Sequence, residues 1–261
     1  MKTQPDFRTL GCIECLEGAG LGFDFSMAFQ PIVNTTADVI FAHEALVRGL
    51  NNESAAKVLG QVNIGNQYRF DQACRVKAIK LAADLAIPTF LSINFLPNAV
   101  YRPELCIRTT LAAAEEYSFP IENIIFEITE SEKIEDHVHL KEIIDYYKSS
   151  GFKTAIDDFG AGYAGLNLLA EIQTDFIKLD MALTRNIGED KVRQAIVNGI
   201  VQACNDLSIT IIAEGVEDYA ELTTLQSFGI ELFQGYYFAR PAFEMLPEVP
   251  ESKFSEPVSN S

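Results

Sequence analysis

Apolar runs rich in Val, Ile and Phe alternate with amphipathic stretches along almost the whole chain. The runs have the length and composition of buried strands, and the stretches between them have a helical period. The runs predict eight strands: Ser26–Val33, Val39–Val47, Thr89–Phe95, Ile124–Ile128, Thr154–Phe159, Phe176–Leu179, Thr210–Ala213 and Leu232–Phe238. The amphipathic stretches predict helices, among them Tyr68–Leu85, Arg102–Glu116, Asp136–Lys148, Lys191–Asp206 and Tyr219–Ser227.

This alternation is typical of repeated βα units around a parallel sheet. Eight units in about 250 residues favour a closed (β/α)₈ barrel over an open sheet, because that is the usual size of the barrel fold. We expect one α/β domain over residues 23–246, preceded by an extension without an assigned role over residues 1–22. Pro247–Ser261 is dominated by Pro, Glu and Ser and predicts a disordered tail.

Composition restricts the class of partner. The 261 residues are 48% hydrophobic and carry a net charge of −17 at pH 7. A chain this acidic would repel nucleic-acid polymers, whose binding relies on Lys and Arg neutralising phosphates. A small phosphate-bearing substrate fits this charge only where metal ions intervene. No signal peptide or long apolar segment stands out, so we expect a cytoplasmic protein without a membrane segment.

The cysteines carry little functional signal. Cys12 and Cys15 form a single C-x-x-C pair with no second pair or His cluster downstream. A passive extension explains this pair better than a zinc or redox site does. Cys74, Cys106 and Cys204 lie in apolar segments, where Cys usually acts as a small hydrophobe.

Polar residues end nearly all of the predicted strands, and most of them are acidic. They are Glu44, Asn94, Glu127, Asp157, Asp158, Lys178, Glu214 and Gln234. In a barrel these strand ends meet at one mouth, where five carboxylates face one Lys and the nearby Arg48. One such carboxylate alone would suggest a surface group or a cap. For the whole set, divalent cations are the obvious way to balance the excess negative charge, because a carboxylate beside a core strand must be hydrated, paired or metal-bound. Oxygen ligands favour Mg²⁺ or Mn²⁺ over zinc.

A glycine motif suggests a different function. Gly160, Gly162 and Gly165 match G-x-G-x-x-G after a strand, and Asp180 ends the next strand, as in dinucleotide-binding folds. Asp157 and Asp158 oppose that interpretation because they place negative charge where a pyrophosphate would bind. The other interpretation is a tight, mobile loop from strand to helix.

Ordered motifs identify a family that the chain resembles. Glu44-Ala45-Leu46-Val47-Arg48 matches the E-A-L-x-R string of the EAL-domain cyclic di-GMP phosphodiesterases, and Phe29-Gln30-Pro31-Ile32-Val33 is similar to the strand before it. The others follow in order: Ser92-Ile93-Asn94, Phe126–Ser131, Asp157–Tyr163, Ile177–Asp180, Ala213–Glu217 and Gln234–Tyr236. The resemblance covers about Phe23–Pro241, and this many ordered motifs at barrel-like spacing are very specific.

The resemblance implies a (β/α)₈-like barrel with one strand reversed, which opens cyclic di-GMP to linear pGpG. Two Mg²⁺ or Mn²⁺ ions would activate a water that attacks phosphorus in line. By motif, the implied ligands of the first ion are Glu44, Asn94, Glu127 and Asp157, and those of the second are Asp157, Asp158 and Glu214. Whether Glu214 acts as a general base or as an ion ligand stays open.

The resemblance also implies roles for the surrounding residues. Lys178 would contact the water or a phosphate, Gln234 would orient the water or Glu214, and Arg48 would bind a phosphate. Substrate contacts are further implied for Gln30, Leu46 and Asp180, and a loop-steadying role for Glu130. A homodimer would form through the region after Gly160, in a bacterial cytoplasm.

One alternative stays open within the family. A catalytically silent EAL domain would bind cyclic di-GMP or a protein partner as a receptor, and its usual mark is the loss of a ligand, of the Lys or of the Glu. None is lost here, so hydrolysis is favoured. Phe95-Leu96-Pro97 departs from the family, where many members have a small polar residue after the Asn. The regulatory domain or partner of such an enzyme would lie outside this chain.

Overall fold

The computed structural model describes residues 20–100, 102–129, 136–162 and 165–254. Cys12, Cys15 and Glu130 lie outside the described residues, as do residues 255–261 of the predicted tail. The described strands are β1 (Ser26–Asn34), β2 (Val39–Arg48), β3 (Phe90–Phe95), β4 (Ile124–Thr129), β5 (Lys153–Phe159), β6 (Phe176–Leu179), β7 (Thr210–Ala213), β8 (Leu232–Phe233) and β9 (Ala242–Phe243).

Helices connect the strands on the outside of the sheet. They are α1 (Ala55–Leu59), α2 (Gln67–Asp84), α3 (Pro103–Cys106), α4 (Arg108–Glu116), α5 (His137–Ser149), α6 (Gly165–Glu171), α7 (Met181–Thr184), α8 (Lys191–Asp206) and α9 (Tyr219–Ser227). Four of them begin where an Asp side chain accepts backbone N–H bonds: Asp136 before α5, Asp180 before α7, Asp190 before α8 and Asp218 before α9. In the described part of the chain, none of these helices could span a membrane.

The sheet closes into a barrel with one reversed strand. Strands β2 to β8 run parallel in chain order, and β1 pairs antiparallel with both β2 and β8. The reversal follows from the short β1–β2 connection, where Asn34 Oδ1 accepts N–H bonds from Thr36 and Ala37. A connection this short joins only antiparallel strands, since parallel neighbours need a crossover. The predicted single-domain (β/α)₈-like barrel with a reversed strand is confirmed.

Two layers of side chains fill the barrel interior. The lower layer is apolar and consists of Ile32, Ala42, Ile125, Ala155, Phe176, Ile212 and Leu232, with Phe41 and Phe90 packed against it. In each parallel strand a polar residue follows two positions after the residue of this layer and lies on the same face. In the reversed strand β1 the order is inverted, and Gln30 precedes Ile32.

Each of the eight barrel strands, or the residue directly after it, therefore contributes one member to a single polar layer. We call this layer the polar ring; its members are Gln30, Glu44, Ser92, Glu127, Asp157, Lys178, Glu214 and Gln234. The apolar layer seals the ring from below, and the outward-facing residues of the same strands pack on the helices as the main hydrophobic core. Cys74, Cys106 and Cys204 are buried.

Some element boundaries differ from the prediction. β8 ends at Phe233 instead of Phe238, because the chain turns at Gly235 against the backbone of Val216. A Cβ on Gly235 would lie 2.0 Å from the Val216 carbonyl oxygen, so this approach requires glycine. The predicted helix over Arg102–Glu116 is split into α3 and α4, and the short helices α1, α6 and α7 were not predicted.

The segment after β9 also departs from the prediction. Val249 and Phe254 pack against the hydrophobic core, and the Lys253 ammonium lies 4.1 Å from the centroid of the Tyr237 ring. Up to Phe254, the segment predicted to be disordered from Pro247 is thus in contact with the barrel.

His43 provides a test of the alternation along β2. The imidazole is buried on the face opposite Glu44, and its Nδ1 lies 3.1 Å from Thr89 Oγ1. Burial lowers the pKa of His43 from 6.5 to about 4. Between pH 6.5 and pH 4, His43 binds a proton in the unfolded chain but stays neutral in the folded protein. The contribution of neutral His43 to the free energy of unfolding is therefore complete above pH 6.5 and is lost as the pH falls toward 4.

We expect His43→Gln to remove that dependence. Between pH 7 and pH 5 the wild type should lose about 2 kcal/mol more free energy of unfolding than the variant does. Urea unfolding of both proteins at the two pH values measures the difference. Equal losses would show that His43 is as easily protonated in the folded protein as in the unfolded chain.

Candidate active site

The ammonium group of Lys178 occupies the centre of the polar ring. Lys178 belongs to β6, and its side chain is 1% exposed. Its ammonium group contacts four carboxylates at the carboxyl ends of other strands. From Lys178 Nζ the distances are 3.2 Å to Glu44 Oε2, 3.0 Å to Glu127 Oε2, 3.0 Å to Asp157 Oδ1 and 2.8 Å to Glu214 Oε1. The structure thus brings together residues that are up to 170 positions apart in the sequence.

Neutral polar side chains orient two of these carboxylates. Asn94 Nδ2 donates to Glu44 Oε1 at 2.9 Å, and Gln234 Nε2 donates to Glu44 Oε2 at 2.7 Å. Ser92 Oγ donates to Glu127 Oε1 at 2.5 Å. Both oxygens of Glu44 are therefore hydrogen-bonded, which holds the carboxylate in one orientation.

Burial and mutual repulsion shift the protonation of the ring. Burial raises the pKa of Glu127 well above its usual range, and the charge of Glu44 adds to the effect; burial likewise raises that of Glu214. Burial also opposes the charged form of Glu44, but Lys178 and the bonds from Gln234 and Asn94 outweigh it and lower the pKa of Glu44. The carboxylates hold the pKa of Lys178 well above its usual value against burial. One ammonium does not balance this ring, so protons or further cations must.

Two overlapping acidic groups could bind cations. Ligand oxygens of Glu44, Glu127 and Asp157 lie within 4.8 Å of one another, and so do those of Asp157, Asp158 and Glu214. Asp157 belongs to both groups. Its buried Oδ1 lies 3.0 Å from Lys178 Nζ but makes no well-directed hydrogen bond to the described residues. These oxygen donors, with Asn94 beside them, fit hard divalent ions such as Mg²⁺ and Mn²⁺.

Asp158 reaches the site through an irregular backbone. Strand alternation would place it on the face opposite Asp157, but its φ is +54° and the register between β5 and β6 shifts between Ile156 and Phe159. A bulge of this kind re-aims a side chain, and such strained residues cluster at functional sites. Burial, followed by the charges of Asp157 and Asp180, raises the pKa of Asp158 to about 6.

A cavity of about 330 Å³ opens above the ring. Besides the carboxylates it is lined by Gln30, Leu46, Met181, Arg185, Glu217, Gln234 and Tyr236. Gln30 is held by a bond from its Nε2 to the Ala239 carbonyl at 3.1 Å. Arg185 is paired with Glu217, with 2.6 Å between Nη1 and Oε2.

The predicted substrate residues are placed differently from one another. Gln30 and Leu46 line the cavity. Arg48 lies two residues after Leu46 on the same face of β2 and donates a hydrogen bond to the Val47 carbonyl at 2.7 Å. Asp180 caps α7 by accepting an N–H bond from Ala182 at 2.8 Å.

Sequence reasoning missed several residues of the site. One of them is Ser92, a polar residue two positions before Asn94 in an apolar run, and this spacing is the signal that places both on the same face. Met181 and Arg185 lie after β6, and their position at the cavity depends on the loop, which carries no such periodic signal. Glu130 lies outside the described residues.

Comparison with known proteins gives a consistent result. The model of the EAL domain family matches residues 19–241. Blue light- and temperature-regulated antirepressor BluF of Escherichia coli K12 is 36% identical over 229 residues, which cover 87% of this chain and 57% of BluF. The probable cyclic di-GMP phosphodiesterase PdeG of the same organism is 28% identical over 223 residues, covering 82% of this chain and 44% of PdeG. The chain therefore spans about half the length of these relatives.

Solved structures share the fold. A standalone versatile EAL protein from Vibrio cholerae O395, crystallised with bound c-di-GMP, is 60% identical with a TM-score of 0.87, covering 90% of this chain and 99% of that protein. Klebsiella pneumoniae BlrP1 in a manganese and cyclic di-GMP complex is 36% identical with a TM-score of 0.82, covering 87% of this chain and 58% of BlrP1.

Replacing the central lysine should expose the charge imbalance of the ring. We expect Lys178→Met to lower the free energy of unfolding in EDTA by about 3–5 kcal/mol, because the buried carboxylates lose their counter-ion. Urea unfolding measures the loss. Lys153→Met is the control, since Lys153 pairs with Asp175 at the surface and its removal should cost less than about 1 kcal/mol. Equal losses in the two variants would mean that Lys178 does not hold the ring together.

Proposed function

We propose that this chain, which belongs to the EAL domain family, is a metal-dependent phosphodiesterase that hydrolyses cyclic di-GMP to linear pGpG. The observation that carries the proposal is the complete acidic set around Lys178, with two overlapping groups that share Asp157. The 60% identical EAL protein with bound c-di-GMP supports the choice of ligand. Residues 23–246 form the catalytic domain in this proposal.

The substrate carries phosphodiester charges, which an acidic cavity would repel without cations. One Mg²⁺ or Mn²⁺ ion would be held by Glu44, Asn94, Glu127 and Asp157, and a second would be held by Asp157, Asp158 and Glu214. When bound, the two ions would activate the attacking water and stabilise charge on the phosphoryl oxygens. We assign Glu214 to the second ion because its carboxylate lies in the same acidic group as Asp157 and Asp158.

The remaining residues orient the attacking water, contact the substrate or stabilise charge in the transition state. Lys178 directs positive charge toward the oxygens that become more negative in the transition state. Gln234, whose Nε2 already bonds Glu44, orients the attacking water. Gln30 and Leu46 line the cavity that receives the substrate, and Arg48, further along β2, binds a phosphate. Asp180 contacts the substrate from the end of β6, and Glu130 steadies the loop after Asp158.

Removal of one ligand should abolish turnover. We expect Glu44→Ala to reduce hydrolysis of cyclic di-GMP by at least about 10³-fold, because it deletes a ligand together with the partner of Asn94 and Gln234. The assay follows substrate loss and pGpG by chromatography in Mg²⁺, Mn²⁺, Ca²⁺ and EDTA. Glu115→Ala, an exposed position on α4, is the control and should leave the rate unchanged.

The ion dependence of the same assay adds a second criterion. pGpG should form with Mg²⁺ or Mn²⁺ and not in EDTA. Ca²⁺, which is larger and has laxer geometry, should support binding without turnover. Full activity of Glu44→Ala, or equal rates in Ca²⁺ and Mg²⁺, would contradict the site assignment.

A second candidate function is a cyclic di-GMP receptor or protein-interaction module without catalysis. It is favoured by one observation, namely that the 36% identical relative BluF is named an antirepressor. The intact acidic set favours hydrolysis. If the wild type consumes no cyclic di-GMP in any ion but binds it in calorimetry, the receptor function replaces the phosphodiesterase.

We further propose that the chain forms a homodimer through the region after Gly160, in the cytoplasm of a bacterium. The named relatives are bacterial. Support for the dimer comes from exposed apolar side chains in the region after Gly160: Leu166 on α6 is 61% exposed, and Val192 and Ile196 on α8 are 69% and 47% exposed. A second copy packed on this region would bury such side chains.

A charged residue in this region should separate the copies. We expect the wild type to be a dimer in light scattering at high concentration and Leu166→Glu to be a monomer, because the carboxylate would be desolvated at the interface. Ile64→Glu, at an exposed apolar position in the loop between α1 and α2, is the control and should stay dimeric. A monomeric wild type, with and without cyclic di-GMP, would contradict the proposal.

A further inference from the structure

Helix α2 buries an ion pair behind the strands that carry Asn94 and Glu127. Asp71 and Arg75 lie one turn apart on α2, with 2.6 Å between Asp71 Oδ2 and Arg75 Nη2 and side chains 1% and 0% exposed. Apolar residues of similar size would often pack as stably as a buried ion pair, because they avoid the loss of hydration. The pair is therefore not explained by stability alone.

The guanidinium group of Arg75 is surrounded by aromatic rings. Its Cζ lies 5.4 Å from the ring centroid of Phe95, 5.1 Å from that of Phe126 and 5.8 Å from that of Tyr147. Arg75 Nη1 also donates to the Tyr147 hydroxyl at 3.1 Å. Cation–π contacts of this kind are strongest where both partners are desolvated, as they are here.

Two of these rings belong to the immediate chain neighbours of predicted ion ligands. Phe95 follows Asn94 on β3, and Phe126 precedes Glu127 on β4. Successive side chains on a strand point to opposite faces, so rings held on the outer face keep Asn94 and Glu127 on the inner face. The two ligands are also paired across the strands, since Asn94 stands opposite Glu127 in the parallel register.

The second carboxylate oxygen of Asp71 binds the backbone directly after β3. Asp71 Oδ1 accepts a hydrogen bond from the Leu96 backbone N–H at 2.9 Å. β3 ends at Phe95, so this bond continues the anchoring of the backbone one residue beyond the strand. Asp71 thus fixes the chain two residues after Asn94 and, at the same time, fixes Arg75 against the rings.

We infer that Asp71 and Arg75 are positioning residues that hold Asn94 and Glu127 in the orientation needed to bind the first ion. The inference rests on the proposed function, in which those two residues are ligands. It also accounts for the departure at Phe95-Leu96-Pro97, because the Asn94 segment is supported from α2 by Asp71. Residues that orient metal ligands typically contribute 10- to 100-fold to metal affinity, as an order of magnitude.

The test is Mn²⁺ binding to the double variant Asp71→Leu/Arg75→Met without substrate. The signal of free Mn²⁺ in electron paramagnetic resonance gives the dissociation constant independently of activity. We expect it to rise about 10- to 100-fold, with no fall in Tm, because apolar replacements keep the packing. Lys80→Met/Asp84→Leu, which removes an exposed ion pair with the same spacing on the same helix, is the matched control and should bind Mn²⁺ like the wild type.

The outcomes separate this inference from the proposed function. An unchanged Mn²⁺ affinity in the folded double variant would overturn the inference and leave the proposed function standing. If the double variant fails to fold, Asp71→Asn decides instead: we expect binding weakened by about tenfold, and unchanged binding would overturn the inference. A wild type that binds no Mn²⁺, or a Glu44→Ala variant that binds it normally, would overturn both.

Discussion

The contact between the Lys178 ammonium and four buried carboxylates is the interaction on which the site depends. Three carboxylates come from three different strands and the fourth directly follows another, so the ammonium joins distant parts of the barrel at one point. Its single charge does not balance the ring, which is why burial and mutual repulsion raise the pKa of Glu127 and Glu214. In the function that we propose, cations bound at this ring would allow an acidic protein to bind a phosphodiester.

The position of this ring follows from a simple rule of strand geometry. In each parallel strand an apolar residue of the lower layer is followed two positions later by a polar residue of the ring, and β1 shows the inverted order because it runs the other way. The support from outside obeys the same rule. The aromatic side chains that alternate with Asn94 and Glu127 along their strands pack around Arg75. Helix α2 therefore contacts these strands on the face opposite Asn94 and Glu127.

The sequence was sufficient to predict the strands, the barrel and most of the ring, because these depend on local periodicity and on where polar residues interrupt apolar runs. The sequence was insufficient where contacts between distant segments determine where a strand ends or which way a side chain points. β8 ends early because Gly235 meets Val216, and Asp158 turns inward because the β5–β6 register shifts. The sequence analysis also did not find the pair of Asp71 and Arg75, because its burial behind Asn94 depends on how α2 packs on the strands.

We propose that the polar ring, together with Asp158, binds two cations that share Asp157. An anomalous-difference map from crystals of the protein grown with Mn²⁺ and cyclic di-GMP tests this proposal. We expect two peaks, one in contact with Glu44, Glu127 and Asp157 and the other with Asp157, Asp158 and Glu214. A map without peaks in the ring, with Lys178 still bridging the carboxylates in the presence of Mn²⁺, would contradict it.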